Sequence, residues 1–407
     1  MKKPLIVILA GGVGKSFAPL SINKTLLPIA GKPMLQHTIE MAEAAGFHDA
    51  LIITNEENEK WLSQYQPFNI TLQTQIVKPT GMGDALLQAE HLIHDEPILI
   101  LNACDLVETA FLKELQHKIQ NSYASIAGLK VKEYFPGGYI KMEGSKAVEI
   151  IEKPGKGNEP SNLINLVFHY FSSPGEFFGH LKMTPTSDEQ YEIALSKLMK
   201  ERHVDVVEYD GPWTKLKYPH HVLDVMKLAL DFQPANHISR SAYVSPQAVI
   251  EGHVYIDDGA HIDAFAVIKG PSYIGRNVKI GNHALVRESS IEADSIVGFG
   301  SEVARSYIGP RCKLHHNFVG DSVFESDVNP SWGTTCANWR LDQKEIMLQL
   351  GETKIPSGRT KLGAVIAKGA FLGVNCSVMP GVTVGRNARI YPGKVVMNAV
   401  KNDETVK

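Results

Sequence analysis

Apolar positions along the chain follow two rhythms that meet near residue 236. Up to about Leu230, aliphatic runs such as LIVILA (5–10), ALIIT (50–54) and PILIL (97–101) alternate with stretches of helical spacing, MLQHTIEMAEAAGF and DALLQAEHLIHD. That alternation predicts an α/β domain, a Rossmann-like mixed, mostly parallel sheet covered by helices. Beyond Asn236 the spacing changes to six: Ile238, Val244, Ile250, Ile256, Ile262, Ile268, Ile274, Ile280 and Val286. Six suits neither a helix nor an ordinary strand. It suits a triangular coil in which each hexad forms one short strand and a turn, with its aliphatic residue pointing inward.

The rhythm resumes at Ile366, Leu372, Val378, Val384, Ile390 and Val396, so loops are expected to interrupt the coil over about 292–365. A chain of 407 residues exceeds the size of one ordinary core. The change of texture divides it into residues 1–232 and 233–407. A stack of coils exposes its flanks, which calls for caps or for association with further copies.

Composition narrows the partners. Apolar residues make up 43% and charged residues 21%, as in an ordinary globular protein, and the net charge of −3 offers no basic field for nucleic acid or an anionic membrane. The two lysines before LIVILAGG imitate a signal peptide, but the apolar run is short and ends in a glycine turn, as a buried strand does. No run has the roughly 18–20 apolar residues of a membrane helix. Cys104, Cys312, Cys336 and Cys376 form no CxxC pair, which argues against a zinc site or disulfide framework and for reduced thiols in a cytoplasm.

The chemistry starts at LAGGVGKSFAPLSINKTLLPIAGKP (9–33). Glycines after a buried strand let backbone N–H groups approach phosphate oxygens, although such a turn is also an ordinary tight loop. The whole string, with its N-K-x-L-L-P-I-x-G-K-P continuation, resembles the signature of the sugar nucleotidyltransferases, which join a nucleoside triphosphate to a sugar 1-phosphate and release pyrophosphate. The resemblance implies that Gly11, Gly12, Gly14 and Lys15 cradle the triphosphate and that Lys24 neutralises the approaching phosphates. It also implies base recognition at Gln75 and Gly81, within TGMGDAL (80–86). Asp105, which ends the strand PILILNACD, would hold Mg2+. Gly138, Glu152, Lys153 and Asn165 would grip the sugar phosphate.

The chain departs from that family at Ser16 and Lys215, and bulky Leu166 and Val167 follow Asn165 where small residues are common. Ser16 stands where an arginine is usual, and Lys215, with Lys217 nearby in WTKLKYPHHVLD, stands where a second metal-binding carboxylate or amide is usual. Lys15, just before Ser16, can replace the arginine's charge but not its planar fork, and a protonated Lys215 does not ligate magnesium.

The second half, through CKLHHNFVGDSV (312–323) and DVNPSWGTTCANWR (327–340), resembles the left-handed parallel β-helix acyltransferases built from hexapeptide repeats. The resemblance implies His315 as the general base, Asn329 and Asn338 as acceptor- or thioester-positioning amides, and Arg359 and Lys361 as contacts for acetyl-CoA. Over nearly its whole length the chain is most similar to the bifunctional UDP-N-acetylglucosamine pyrophosphorylase/glucosamine-1-phosphate N-acetyltransferases. That implies UTP, a sugar 1-phosphate and acetyl-CoA as substrates, Mg2+ as cofactor and a homotrimer. Two other readings stay open: a β-helix that only scaffolds oligomers, and a first domain that has decayed into a sugar-nucleotide sensor.

Overall fold

The computed structural model describes the chain apart from residues 1, 2, 13, 234 and 235 and the side chain of residue 15. Packing divides it into two compact units: Met1–Val13 with Met34–Trp213, and Gly14–Pro33 with Thr214–Lys407. This division differs from the textural border at 232/233. The segment Gly14–Pro33 and the stretch from Thr214 onward both pack with the coils. Periodicity registers where hexads begin, whereas packing registers which segments bury one another.

In the first unit the strands are β1 (Leu5–Leu9), β4 (Asp49–Thr54), β5 (Thr71–Ile76), β6 (Ile98–Asn102), β7 (Ala124–Lys130), β8 (Gly138–Glu143), β9 (Lys146–Glu152), β10 (Leu163–Phe171) and β11 (Val204–Tyr209). The labels β2 (Pro28–Ile29) and β3 (Lys32–Pro33) belong to a small hairpin of the second unit. The nine strands form one sheet in the order β5-β4-β1-β6-β10-β7-β11-β9-β8. β10 and β9 run against the other strands, so the sheet is mixed while most strands share one direction. Both faces are covered. Ile6 and Ile8 pack with the helix α1 (Met34–Ala44) and with α4 (Thr109–Lys118) through Leu35, Ile39 and Leu112. Val7 and Leu9 share the opposite core with Leu86 of α3 (Met82–Ala89), Phe177 of α5 (Gly175–Lys182) and Leu195 of α6 (Gln190–Glu201). Burial on both sides is why LIVIL shows no polar alternation. α2 (Glu56–Leu62) is short and begins at Asn55, whose side chain accepts the N–H groups of Glu57 and Asn58.

The second unit is a parallel β-helix joined by the β2–β3 hairpin and α7 (Val222–Asp231). Among the described residues the coil strands pair in parallel with equivalent strands one coil on, in ladders of eight, eight, five and four strands. One ladder stacks Ile256, Ile274, Ile291, Ile308, Phe324, Ile366 and Val384 inward, all fully buried.

The expected interruption over 292–365 is corrected by this register. Coil strands continue through Ile296–Val297, Tyr307–Ile308, Lys313–Leu314, Val323–Phe324 and Thr335–Cys336. The hexad count fails there because the coils contract: Tyr255 lies over His237, 18 residues on, but Ser290 follows Tyr273 by 17 and Val323 follows Tyr307 by 16. A long excursion lies between residues 336 and 365 and contains the hairpin Met347–Leu350/Thr353–Pro356. Among the described residues no helix is long and apolar enough to cross a membrane.

Because each inward side chain packs against its neighbours above and below, Ile308→Ala is expected to destabilise the coil by about 2–5 kcal/mol, read as a lower midpoint of chemical unfolding. Lys279→Ala, on an exposed coil position, is expected to change it by less than about 0.5 kcal/mol.

Candidate active site

In the first unit the sheet brings several sequence-predicted residues to one edge. β1 is flanked by β4, which follows it in the chain, and by β6, which comes after β4 and β5, so the direction of winding reverses between β1 and β6. Ligands of open α/β sheets bind at such a point, outside the carboxyl ends of the strands. Leu9 pairs with Asn102, so Gly11 and Gly12 leave one of these two strand ends and Asp105 the other. Asp105 is buried at 6% exposure, with its N–H on the Asn102 carbonyl at 3.2 Å. A Cβ at Gly11 would lie 2.8 Å from a methyl of buried Val77, so a larger residue here forces that side chain to shift.

Gln75 lies on the edge strand β5, its amide donating to the Ile76 carbonyl at 3.1 Å. Gly81 is the N-cap of α3, and the preceding residue, Thr80, donates its N–H to Asp84 at 2.8 Å. Gly138 pairs with Glu152 across β8 and β9, and Lys153 follows with its N–H on the Gly137 carbonyl at 3.1 Å.

Asn165, on β10, belongs to a relay the sequence reading missed. Its Oδ1 accepts from Nε2 of His169 at 2.9 Å, and Nδ1 of His169 lies 2.6 Å from the Tyr191 hydroxyl. Burial lowers the His169 pKa to about 3, so the imidazole is neutral. An amide oxygen only accepts, so Nε2 carries the proton and Nδ1 accepts from Tyr191. The Asn165 oxygen is thereby occupied, and its NH2 is left to donate. The N-x-x-x-H spacing was visible in NLVFH, but the register shift of β10 against β7 between Leu166 and His169 hid what it means.

In the second unit, Gly14 enters a single 3-10 turn, Lys15–Phe17, with φ at +64°. The side chain of Lys15 lies outside the described residues. Ser16 donates to the Lys217 carbonyl at 3.0 Å, two residues from Lys215. Lys24 opens a second 3-10 turn, Lys24–Leu26, whose N-cap Asn23 accepts from the Thr25 N–H at 3.2 Å and hydroxyl at 3.0 Å. Next to Lys217, His221 accepts the N–H groups of Lys217 and Tyr218 at Nδ1, at 3.2 and 3.1 Å. Burial, the neighbouring His220 and the nearby Lys215, Arg359 and Lys217 hold His221 down at about 2. Burial, Arg359 and Lys215 hold His220 down at about 4.

On the coil, His315 is exposed and follows the strand Lys313–Leu314, with its N–H held by the Asn317 side chain at 2.5 Å. His316 is stacked between Phe299 and Trp332, with ring centroids 6.1 and 5.3 Å away. Trp332 is 56% exposed and packs on this histidine. Asp321 is buried, accepts from Nε and Nη2 of Arg305 at 2.7 and 2.8 Å, and accepts from the Asn338 amide at 2.5 Å. Asn329 lies one coil beyond Lys313, whose N–H reaches the Val328 carbonyl. Lys361 sits 4.7 Å over the Trp339 ring. Arg359 is ion-paired with Asp224 of α7.

Against known proteins, the nucleotidyl transferase profile matches residues 5–214 and the GMPPB C-terminal domain profile matches residues 250–346. The chain belongs to the nucleotidyl transferase family. It is 33% identical over 412 residues to the bifunctional sugar-1-phosphate nucleotidylyltransferase/acetyltransferase of Sulfurisphaera tokodaii, covering 98% of this chain and 99% of that protein. It is 31% identical to the bifunctional protein GlmU of Methanocaldococcus jannaschii, covering 94% and 92%. Among solved structures, a UDP-glucose pyrophosphorylase complexed with UDP-glucose aligns with a TM-score of 0.51 at 22% identity, over 57% of this chain and 100% of that one, a likeness of fold.

Members of a nucleotidyl transferase family handle polyphosphates, so the donor set bears on a metal. Among the described residues no three His, Cys, Asp or Glu stand together as a ready-made cage. A single buried carboxylate at Asp105 fits an ion that takes its other ligands from phosphates and water, the usual habit of Mg2+.

A carboxylate on α6 is tuned differently. Glu192 of α6 is pushed up to about 7 by burial, then by the charges of Glu152, Asp188 and Glu189, while a backbone hydrogen bond pulls it down; its Oε2 has no partner. A raised folded-state pKa means that stability is full at low pH, falls as pH rises from the unfolded value near 4.5 to about 7, and stays lost above. Glu192→Gln is therefore expected to raise the melting temperature at pH 8 and to leave it unchanged near pH 4, checked by melting both proteins across that range.

Proposed function

We propose that the chain makes a nucleotide sugar in two steps: N-acetylation of glucosamine 1-phosphate by acetyl-CoA on the coil, residues 233–407, and then transfer of uridylyl from UTP to the acetylated sugar 1-phosphate by residues 1–232. The observation that carries this reading is the end-to-end similarity to the Sulfurisphaera protein, including both of its named activities. The placement of Gly11, Gly12 and Asp105 at the winding reversal of the sheet supports it.

In the second step a phosphate oxygen of the sugar 1-phosphate attacks the α-phosphorus of the triphosphate. A P–O bond forms, the α–β P–O bond breaks, and pyrophosphate leaves. Two polyanions repel, so catalysis lies in charge neutralisation and alignment. Lys24 supplies charge to the phosphates. Gly11, Gly12, Gly14 and Lys15 hold the triphosphate, and Gln75 and Gly81 hold the base. Asp105 would hold Mg2+, which when bound supplies Lewis-acid neutralisation of the phosphate oxygens. Gly138, Glu152, Lys153 and Asn165 hold the sugar phosphate, with the Asn165 NH2 oriented by His169 and Tyr191.

In the first step His315 takes a proton from the sugar amine as its nitrogen forms the C–N bond to the thioester carbonyl; the C–S bond breaks, and that proton passes to the leaving sulfur, so CoA departs as its thiol. Asn329 and Asn338 position the acceptor and thioester. Lys361 and Arg359 face the CoA phosphates, and Lys361 has the stronger claim because Arg359 is engaged with Asp224. A homotrimer would cover the coil flanks. All four cysteines are free and buried, which fits a cytoplasmic setting.

The test measures pyrophosphate release and thiol release on the full-length chain. Lys24→Ala and Asp105→Asn are expected to lower pyrophosphate release about 100-fold or more while thiol release persists. His315→Ala is expected to do the reverse, with a loss of about 100- to 10,000-fold in thiol release. Pyrophosphate release alone from the unmodified protein would reduce the coil to a scaffold, and thiol release alone would remove the nucleotidyl transfer.

A further inference from the structure

The segment that carries Lys24 is held by carboxylates of the β-helix. Glu325, 3% exposed, accepts three hydrogen bonds at one oxygen: from the Ser21 N–H at 3.0 Å, the Ser21 hydroxyl at 2.8 Å and the Ile22 N–H at 2.8 Å. Its other oxygen accepts the Lys368 N–H at 2.8 Å, which ties it to the next coil. Ten residues beyond Ser21, Gly31 donates its N–H to Glu292 at 3.0 Å, and Glu292 also accepts from the Ser290 hydroxyl at 2.6 Å. Gly31 has φ at +82°, and a Cβ there would lie 2.2 Å from the Tyr273 hydroxyl, so the hairpin turn rests directly on the coil.

These carboxylates occupy one row. Gly275, Glu292, Gly309 and Glu325 each follow an inward residue of the same ladder, and their N–H groups bond the carbonyls of Ile291, Ile308, Phe324 and Ile366 on the next coil. Glycine thus alternates with glutamate. Coils repeat at about 4.8 Å, so the two glutamates stand roughly 10 Å apart, with Gly309 between them, where a Cβ would lie 2.8 Å from the backbone of Glu325 on the next coil. A solenoid gains nothing from burying an acid on its outer wall unless something donates to it, because an unpaired buried carboxylate is costly. Here the donors are backbone groups on either side of Lys24.

We propose that Glu325 and Glu292 are positioning residues for nucleotidyl transfer: the β-helix is the anvil on which the Lys24 segment is clamped, so the coil contributes to the first activity as well as carrying its own. The proposal rests on the nucleotidyl-transfer reading for its kinetic consequence, though not for the clamp itself. Ser21 and Ile22 lie within three residues of Lys24, and the Asn23 cap fixes the turn between them. Releasing Glu325 frees that turn, and a misplacement of about 1 Å at a reacting group costs up to about 100-fold.

The experiment uses the full-length chain with Glu325→Ala, Glu325→Gln and Glu292→Gln. Pyrophosphate release is followed with UTP and N-acetylglucosamine 1-phosphate, thiol release with acetyl-CoA and glucosamine 1-phosphate, and amide exchange over residues 20–32 by mass spectrometry. Glu325→Ala is expected to lower kcat for pyrophosphate release about tenfold or more, to leave KM for both substrates within about twofold, and to leave thiol release unchanged. Exchange at Ser21 and Ile22 is expected to rise. Glu325→Gln, which keeps an acceptor oxygen, is expected to fall between, and Glu292→Gln to raise exchange at Gly31. Unchanged kcat with raised exchange would overturn the positioning role, and a parallel loss of both activities would overturn it in favour of a general destabilisation. If the unmodified chain releases no pyrophosphate, the function reading fails. Exchange still decides the clamp: a rise in Glu325→Ala upholds it, and no change overturns it.

Discussion

The second unit depends on stacking one inward aliphatic residue per face on the residue one coil below. Neighbouring coil strands lie about 4.8 Å apart, so Ile274, Ile291, Ile308 and Phe324 form a continuous apolar column with no room for a polar group. This constraint fixes the position of everything outward. A residue just after the column faces the same wall in every coil, so residues far apart in sequence, such as Glu292 and Glu325, enter one row without any local signal between them. The column tolerates coils of 18, 17 and 16 residues because the lost residues come from corners. It also tolerates the excursion between residues 336 and 365, because Val365 returns to the ladder over Val323.

The first unit places chemistry by a different rule. Its central strands are buried on both faces, so functional groups can lie only at the strand ends or on residues that turn out of the sheet. Asp105 and Gly11 follow the first course. Asn165 follows the second: it lies inside β10, and its orientation is set by two buried groups, His169 and Tyr191, that reach no solvent. A buried neutral histidine costs little when both ring nitrogens are satisfied, and here it serves to tell the amide oxygen from the amide nitrogen. That is a stiffer arrangement than a surface asparagine, whose amide would turn freely.

How much of this the sequence discloses follows from how local each signal is. The unbroken apolar runs disclose the sheet because double burial leaves no alternation, and nine hexads disclose the coil because inward positions recur at six. Over 292–365 the inward residues are still present, Val297, Leu314 and Phe324 among them, but their spacing drifts and the rhythm is lost to the eye. Asp105 is legible because it ends an apolar strand. The Asn165 relay is not, because its third member, Tyr191, comes from α6, and only packing joins it to β10. The grip of Glu325 on Ser21 joins residues about 300 positions apart, and neither stretch of sequence carries a mark of the other.

The same reasoning bears on Ser16 and Lys215, whose departures from the family pattern suggest decay when each is viewed alone. Decay predicts unrelated losses. Instead the Ser16 hydroxyl bonds the Lys217 carbonyl, and the amides of Lys217 and Tyr218 are in turn held by His221. An arginine at position 16 would bring five donors against a segment already carrying Lys215 and Lys217, and their charges would repel it. A short neutral hydroxyl avoids that repulsion and pins the two segments together, while the neutral state of His220 and His221 leaves the positive charge there to lysine and arginine side chains. Ser16 and the stretch that carries Lys215 and Lys217 are therefore joined by a hydrogen bond. Lysine charge without an arginine's planar fork attracts phosphate but does not grip it in bidentate fashion.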